Sequence, residues 1–436
     1  MDSHPSPRAR ALRQLSPAPA YVLMILGSLP YLPGVRADDV AAACGIPDAE
    51  VERHLEFLAE AKWLVRDGLA SDGSLRYHLP TEQHREARCL ARAVWGMRSA
   101  EGVEGLERLG RYYLACATAA RRMLMSIPGL PGADGCPSLG PLPFSADDAD
   151  AAYAWLQERG MEIMNVVPSV HAAGWYRVTV GLVDGLEPLL VRRRAVRVWI
   201  EACEHYGLSA AKAWGDRHAV RRMLIGAGTG LRAAGEYERA LVRLAQAQDS
   251  ARQDGHDEDE ARALTEMGHT YWEMGSASTA QPLLDRVVRT RRKAGDPQGA
   301  ALALILLGNL ASASEDHSTA IKHLGRARGD IPVSQDPYNR ARALAYLALA
   351  QQCKGDYDEA THNLHEALAE FELIDAVYWR ARCQEWIGRT LESQGRLDQA
   401  RDWYRHALAG YTHTCSTRDI ARLSTSLEQA GRPSDE

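Results

Sequence analysis

The sequence predicts an all-α protein whose C-terminal half is a row of helical hairpins, and three observations carry that expectation. The first is composition. Only three Phe occur in 436 residues, while Ala, Leu and Arg abound, and such residues lose little side-chain freedom in a helix. The second is an internal period of 40 residues: Ala240, Ala280, Ala320, Ala360 and Ala400 recur without a gap. The third is the spacing of apolar side chains three or four apart within each period, as in Leu264, Met267 and Tyr271 or Leu304, Leu307 and Ala311, which marks one face of an amphipathic helix.

Other positions keep the same register. Four residues after each alanine stand Leu244, Leu284, Leu324, Leu364 and Tyr404, and three further on Ala247, Val287, Ala327, Ala367 and Ala407. Five before each alanine stand Gly235, Gly275, Glu315, Gly355 and Gly395, where glycine ends a helix in a left-handed turn. Seven before those stand Gly228, Gly268, Gly308, Ala348 and Gly388, small residues that let two antiparallel helices approach closely. The glycines of "GAGTGLRAAGEYERAL" are therefore repeat positions; with no strand before them they do not form a phosphate-binding loop. "LIGAGTGLRAAGEYERAL" and "LALAQQCKGDYDEATHNL" resemble the tetratricopeptide repeat, lengthened from its usual span by residues between the units. The resemblance implies a right-handed α-solenoid of five units over 221–428. "VWIEACEHYGLSAAKAWGD" reads as the second helix of a degenerate sixth unit within 147–220.

Residues 18–90 follow another plan. "YVLMILGSLP" and "ADDVAAACG" are two short helices, the second ending at Gly45, and "PDAEVERHLEFLAEAKWLV" is a third, with Pro47 in its first turn. Turn residues then separate two extended runs in "RDGLASDGSLRYHL". Three helices and a hairpin make a winged helix. The apolar run after the basic start flows directly into this helical pattern and is broken by Pro30, so it reads as a core helix and not as a signal peptide or a membrane span. Around this domain lie a flexible leader (1–17), connecting helices (91–126), a Pro/Gly-rich linker (127–146) that divides the molecule, and a flexible tail (429–436).

A winged helix closing in "RYHLPTEQHREARCLAR", a helical stretch, a Pro/Gly-rich joint and 40-residue repeats together resemble the C-terminal part of the signal-transduction NTPases with numerous domains (STAND, NB-ARC type), in particular the antibiotic-regulator type of actinobacteria. The resemblance covers about Tyr21 to Gly431. In that family a His-Asp pair closes the winged helix and senses the nucleotide. Pro80 and Thr81 stand at the equivalent place here, and no G-x-x-x-x-G-K-[ST] occurs. The resemblance thus implies a relative that lacks the NTPase domain or works beside a separate ATPase or regulator partner, and no bound nucleotide or other cofactor is expected.

Function is expected in the concave face of the repeats. When Gly228, Gly268, Gly308, Ala348 and Gly388 are set as position eight of each unit, the family resemblance puts positions two, five, nine and twelve on that face. Position two is Arg222, Arg262, Leu302, Arg342 and Arg382; beside them lie His269, Trp272, Asn309, Gln352, Glu385, Trp386 and Arg389. Guanidinium groups and tryptophans suit an acidic extended peptide or protein segment. The alternative is that Arg262 pairs with Glu266 and Arg382 with Glu385 along their own helices, for about 0.2–0.5 kcal/mol each.

Other classes of function find little support. The charge of −6 gives no polybasic character. The third helix carries Asp48, Glu50, Glu52, Glu56 and Glu60 against Arg53 and Lys62, so phosphate repels it; protein contact is expected of it, with a DNA-binding regulator whose repeats sense a ligand as the alternative. "RRRAVRVW" and "RVVRTRRKAG" read as solvated helix faces. The eight cysteines never form C-x-x-C, which suits a reducing cytoplasm, and His362 and His365 read as surface residues and not as metal ligands. No catalytic motif is present. The expected protein is a non-enzymatic, cytoplasmic regulator or adaptor.

Overall fold

The computed structural model describes residues 15–96, 99–125, 129–130, 142–193, 195–332, 336–414 and 416–430, with backbone alone at 418, 426 and 428–430. Most of the expected leader, most of the Pro/Gly-rich linker, the end of the tail, Cys136 and Cys415 lie outside the described residues. The chain divides into two compact units, Met1–Leu186 with Tyr206–Asp216, and Glu187–His205 with Arg217–Glu436.

The first unit opens with α1 (Pro17–Ser28), α2 (Ala37–Cys44) and α3 (Asp48–Glu60), followed by an antiparallel hairpin, β1 (Val65–Leu69) and β2 (Leu75–His78). Pro47 caps α3 from the position before its first turn and does not enter that turn. Val35 adds one bridge to Tyr77 on β2. The apolar run of α1 is core: Val22, Leu23 and Ile25 are fully buried. α4 (Thr81–Trp95) packs on α1, and Arg88 donates to the carbonyls of Gly27 and Leu29 at 3.0 Å each. α5 (Ala100–Leu124), α6 (Ala149–Ala172) and α7 (Tyr176–Gly185) complete this layer, and α5 touches α2, α6 and α7.

Two expectations change here. α5 and α6 flank the Pro/Gly-rich segment and pack on each other, so the division falls after Leu186 and not at 127–146. Burial explains why the two helices stay together. Arg159 of α6 is fully buried 3.2 Å from Asp39 of α2, and Tyr112 of α5 donates to Asp38 at 2.8 Å. A buried cation of this kind holds its carboxylates in place because separation would strand the charges. The second change concerns "VWIEACEHYGLSAAKAWGD". It forms α9 (Val196–Ile200), a π-helical turn (Glu201–Gly207) and α10 (Leu208–Trp214), not one regular repeat helix, and the unit boundary crosses it. Before it runs the short α8 (Glu187–Arg193).

The second unit holds α11 (Arg217–Ala233), α12 (Tyr237–Asp254), α13 (Asp257–Glu273), α14 (Ala277–Lys293), α15 (Pro297–Ala313), α16 (His317–Asp330), α17 (Pro337–Lys354), α18 (Tyr357–Leu373), α19 (Val377–Ser393), α20 (Leu397–His413) and α21 (Thr417–Ala430). Each of α11 to α21 packs on the next, and the first helices of the hairpins, α11, α13, α15, α17 and α19, also touch one another in order, so they form one layer. The 40-residue period is thus a run of helical hairpins.

Two register positions explain the geometry. At position eight of the units that carry glycine there the neighbouring helix leaves no room: a methyl on Gly308 would stand 2.5 Å from Leu324 Cγ, and one on Gly268 2.7 Å from Leu284. At the hairpin turn the chain takes positive φ, at 78° for Gly275 and 63° for Glu315, the one unit without glycine there. That conformation costs a side-chain-bearing residue about 1–3 kcal/mol, partly offset in glycine by its greater loss of freedom on folding. Two substitutions in one hairpin should therefore act in opposite directions in denaturant melts. Glu315→Gly is expected to stabilise by about 0.5–1 kcal/mol, and Gly308→Val to destabilise by about 1–3 kcal/mol through overpacking against Leu324. The same sign for both would contradict this account of the turn and the contact.

Candidate partner-binding face

The first helices α11 to α19 place the expected residues in three groups. In the first, Arg222 is buried at 3.3 Å from Glu187, and Arg262 lies 3.6 Å from the other oxygen of the same carboxylate. Arg262 thus reaches a residue outside the repeat register and does not pair with Glu266 four residues along its helix. Leu302, at the same position of the next unit, interrupts the arginine column and is half-buried.

The second group surrounds Arg232, which sits at position twelve of the first unit and was legible there by the same numbering. Its guanidinium contacts Glu266 at 3.3 Å and Glu273 at 2.6 Å. His269 lies 3.2 Å from Glu273, and its ring meets that of Trp272 at 5.5 Å. Burial pushes the Glu273 carboxyl up, but the hydrogen bond from His269 and the charge of Arg232 outweigh it and bring the group to about 2. Burial, and then Arg232, holds the imidazole of His269 below its usual range.

The third group is aromatic. Arg342 lies with its guanidinium carbon 5.7 Å from the centre of the Tyr338 ring and 5.2 Å from that of Trp379, and Arg382 lies 4.7 Å from that of Trp386. Tyr346 joins them, 5.4 Å from Trp379 and 5.6 Å from Trp386. Arg342 donates to Asn339 at 2.7 Å, and Arg382 approaches Asp419 to 3.7 Å. Both Nε atoms are buried without a hydrogen-bond partner among the described residues.

Some expectations are corrected. Trp386 is 1% exposed and belongs to the core beneath Arg382, so it is no surface anchor. Glu385 is equally buried and pairs with Arg389 at 2.7 Å and with Arg422 of α21, not with Arg382; Tyr411 donates to it at 2.6 Å. Burial raises that carboxyl, but Arg422 and Arg389 outweigh it and hold the group ionised. Arg389 is exposed except for this pair. Asn309 is buried with an unpartnered Nδ2, and the half-buried Gln352 has an unpartnered Oε1; the contacts of the described residues bring neither into the three groups. Arg192, expected on a solvated face, is buried, while Arg286, Arg291 and Arg292 pair with Glu260, Asp296 and Asp330. His362 and His365 are exposed. Glu187, Tyr338, Trp379 and Arg422 were not singled out in the sequence.

Two further sites bear on function. His218, His256 and Asp259 gather their donor atoms within 4.8 Å. Arg221 already neutralises this carboxylate at 2.7 Å, and the His256 Nδ1 accepts the backbone N–H of Asp259, so the group reads as a helix-capping ion cluster. On α3, Asp48, Glu52, Glu56 and Glu60 are exposed together with Phe57, and the hairpin exposes Val65, Leu69 and Leu75. His78 and His84 contact the carbonyls of Pro33 and Leu29. No helix of the described residues is long and apolar enough to cross a membrane.

Comparison with known proteins agrees with the repeat assignment. Residues 259–329 and 339–413 match the tetratricopeptide repeat. No curated protein matches the chain significantly. Among solved structures, a Rap protein complexed with Competence and Sporulation Factor is similar at 10% identity and a TM-score of 0.46, over 65% of this chain and 87% of that one. A STAND ATPase with a tetratricopeptide repeat sensor from Pyrococcus horikoshii is similar at 12% identity and a TM-score of 0.42, over 99% of this chain and 65% of that one. BtubC from P. vanneervenii is similar at 14% identity and a TM-score of 0.35, over 51% of this chain and 86% of that one.

The Arg232 group predicts a pH-dependent stability. Glu273 titrates below its ordinary 4.5, so its contribution is complete above that value and is lost as pH falls toward about 2. His269 acts in the same direction, because its depressed value favours the native state only above the usual imidazole range. Arg232→Met should destabilise at pH 7 by about 2–3 kcal/mol, less than the ~3–5 kcal/mol of a fully buried pair, because the carboxylates keep about a quarter of their surface exposed. The difference between variant and parent should shrink between pH 4.5 and pH 3 in urea melts. A difference independent of pH would refute the assignment.

Proposed function

We propose that this chain is a non-enzymatic regulatory or adaptor protein whose repeats capture a carboxylate-bearing peptide or protein segment on the first-helix face, and whose N-terminal helices and hairpin form a winged helix that contacts a second protein. The observation that carries the reading is Arg342. Its guanidinium rests on two aromatic rings, one Nη donates to Asn339, and among the described residues no carboxylate lies within ion-pair distance. A planar cation held flat on aromatic rings keeps its edge for a partner, and a carboxylate matches that edge with two hydrogen bonds. Arg382, one unit on, also lies over an aromatic ring, that of Trp386, but it approaches Asp419 to 3.7 Å.

Protein contact by the winged helix is supported by the acidic, partly apolar surface of α3 and the hairpin, which phosphate repels and a protein surface with basic and apolar groups accepts. A cytoplasmic location agrees with the free thiols of Cys44, Cys89, Cys116, Cys353 and Cys383 among the described residues.

Selection of peptides from a display library on the purified chain tests the reading. Carboxylate-bearing sequences should be enriched, and Arg342→Glu should weaken their capture at least ten-fold while the melting temperature stays within a few degrees. No enrichment, or capture indifferent to Arg342→Glu, would remove the proposal. For the winged helix, fluorescence anisotropy with a 30-base-pair duplex at low salt should detect no binding; salt-dependent binding would favour the DNA-binding reading.

A further inference from the structure

The segment Glu187–Arg193, "EPLLVRR", opens the stretch Glu187–His205 that belongs to the repeat unit, while the chain up to Leu186 and from Tyr206 to Asp216 belongs to the other. α8 packs on α19, the first helix of the last hairpin. Its charges meet complementary charges at both ends. Glu187 takes Arg222 and Arg262 from the first two units. Arg193 lies 3.6 Å from Asp375 at the entry to α19. The charge of Arg192 acts on the buried Asp336 that caps α17. Between these ends Pro188, Leu189 and Leu190 are buried. A seven-residue segment thus bridges the first units to the last by matched charges, as a bound peptide would.

We infer that α8 is a built-in ligand of the repeat face, and that the face takes a partner segment of the same chemistry: a carboxylate, then two or three apolar residues, then one or two cations, docked in that order. The inference rests on the reading of the repeats as a capture surface and gives its ligand a polarity, since a uniformly acidic segment would meet Asp336 and Asp375 at its far end. Such a partner competes with α8. Because α8 is covalently tethered, it acts at an effective concentration in the millimolar range, so a free peptide engages only weakly until α8 is loosened.

The experiment uses the full chain and a fluorescein-labelled peptide of residues 185–193, read by anisotropy. Glu187→Gln combined with Arg193→Gln weakens the built-in segment and should raise the affinity of the peptide at least ten-fold over the unmodified chain. A peptide with residues 187–193 in reverse order should not bind the variant. Equal binding to both chains, or equal binding of the reversed peptide, overturns the inference. Should the variant fail to melt as the parent does, hydrogen exchange on the unmodified chain decides. Millimolar peptide is expected to raise exchange at the amides of 189–193 and leave those of α12 unchanged; unchanged exchange at 189–193 overturns the inference. If the acidic peptides of the preceding selection still bind while the 185–193 peptide does not, the built-in ligand alone falls. If neither binds, the capture reading falls with it.

Discussion

A methyl group on Gly228, Gly268 or Gly308 would collide with the leucine sixteen positions ahead, and on this closeness of two helices the rest of the repeat unit depends. Leu244, Leu284 and Leu324 are fully buried because the facing helix offers backbone where a side chain would otherwise stand. Interiors packed to this density transmit shape: the approach fixes each hairpin, and the hairpin sets the side of the first helix that remains for other work. At the last unit the same place is filled by Tyr404 against Gly388, and Tyr404 reaches on to donate to Glu392 at 2.5 Å. In the fourth unit Ala348 stands where the glycines do, and Leu364 is still fully buried.

On the first-helix face the dominant theme is charge taken out of water in matched sets. Glu187 serves two arginines, Arg232 serves two carboxylates, and Glu385 serves Arg389, Arg422 and Tyr411. Each set joins different helices, so it specifies how neighbouring units stack as well as holding them together. Arg342 and Arg382 are treated differently. They lie on aromatic rings, which satisfy the face of a guanidinium; Arg382 also stands 3.7 Å from Asp419, whereas among the described residues Arg342 donates to Asn339 and has no carboxylate within ion-pair distance. The contrast sets Arg342 apart from Arg222, Arg262 and Arg382 of the predicted column, each of which reaches a carboxylate.

The N-terminal unit uses the same physics for another purpose. Arg159 and Asp39 are buried together between α6 and α2, with burial raising the Asp39 carboxyl above its ordinary range against the pull of Arg159. Arg36, close to Asp72 in the hairpin turn and to Glu158 of α6, extends this network to the hairpin. The outer surface of α3 is left acidic with Phe57 among the acids.

Local pattern alone determined the hairpins. Every contact that defines a repeat lies within one period or the next, so alanines, leucines and glycines at fixed spacing were sufficient, and the three helices and hairpin of residues 17–78 followed from caps and turn residues in the same way. The column of arginines was legible too, since position within a repeat sets the face. The fate of each arginine was decided only by the tertiary structure. Glu187 lies outside the repeat register and 35 residues from Arg222, and no spacing relates it to Arg262. Trp386 and Glu385 were read as wall residues, yet the closing helix α21 and its Arg422 draw Glu385 inward, and Tyr346 and Trp379 pack against Trp386. Periodicity tells which way a side chain points from its own helix; whether another element has already filled that space depends on contacts between residues far apart in the chain.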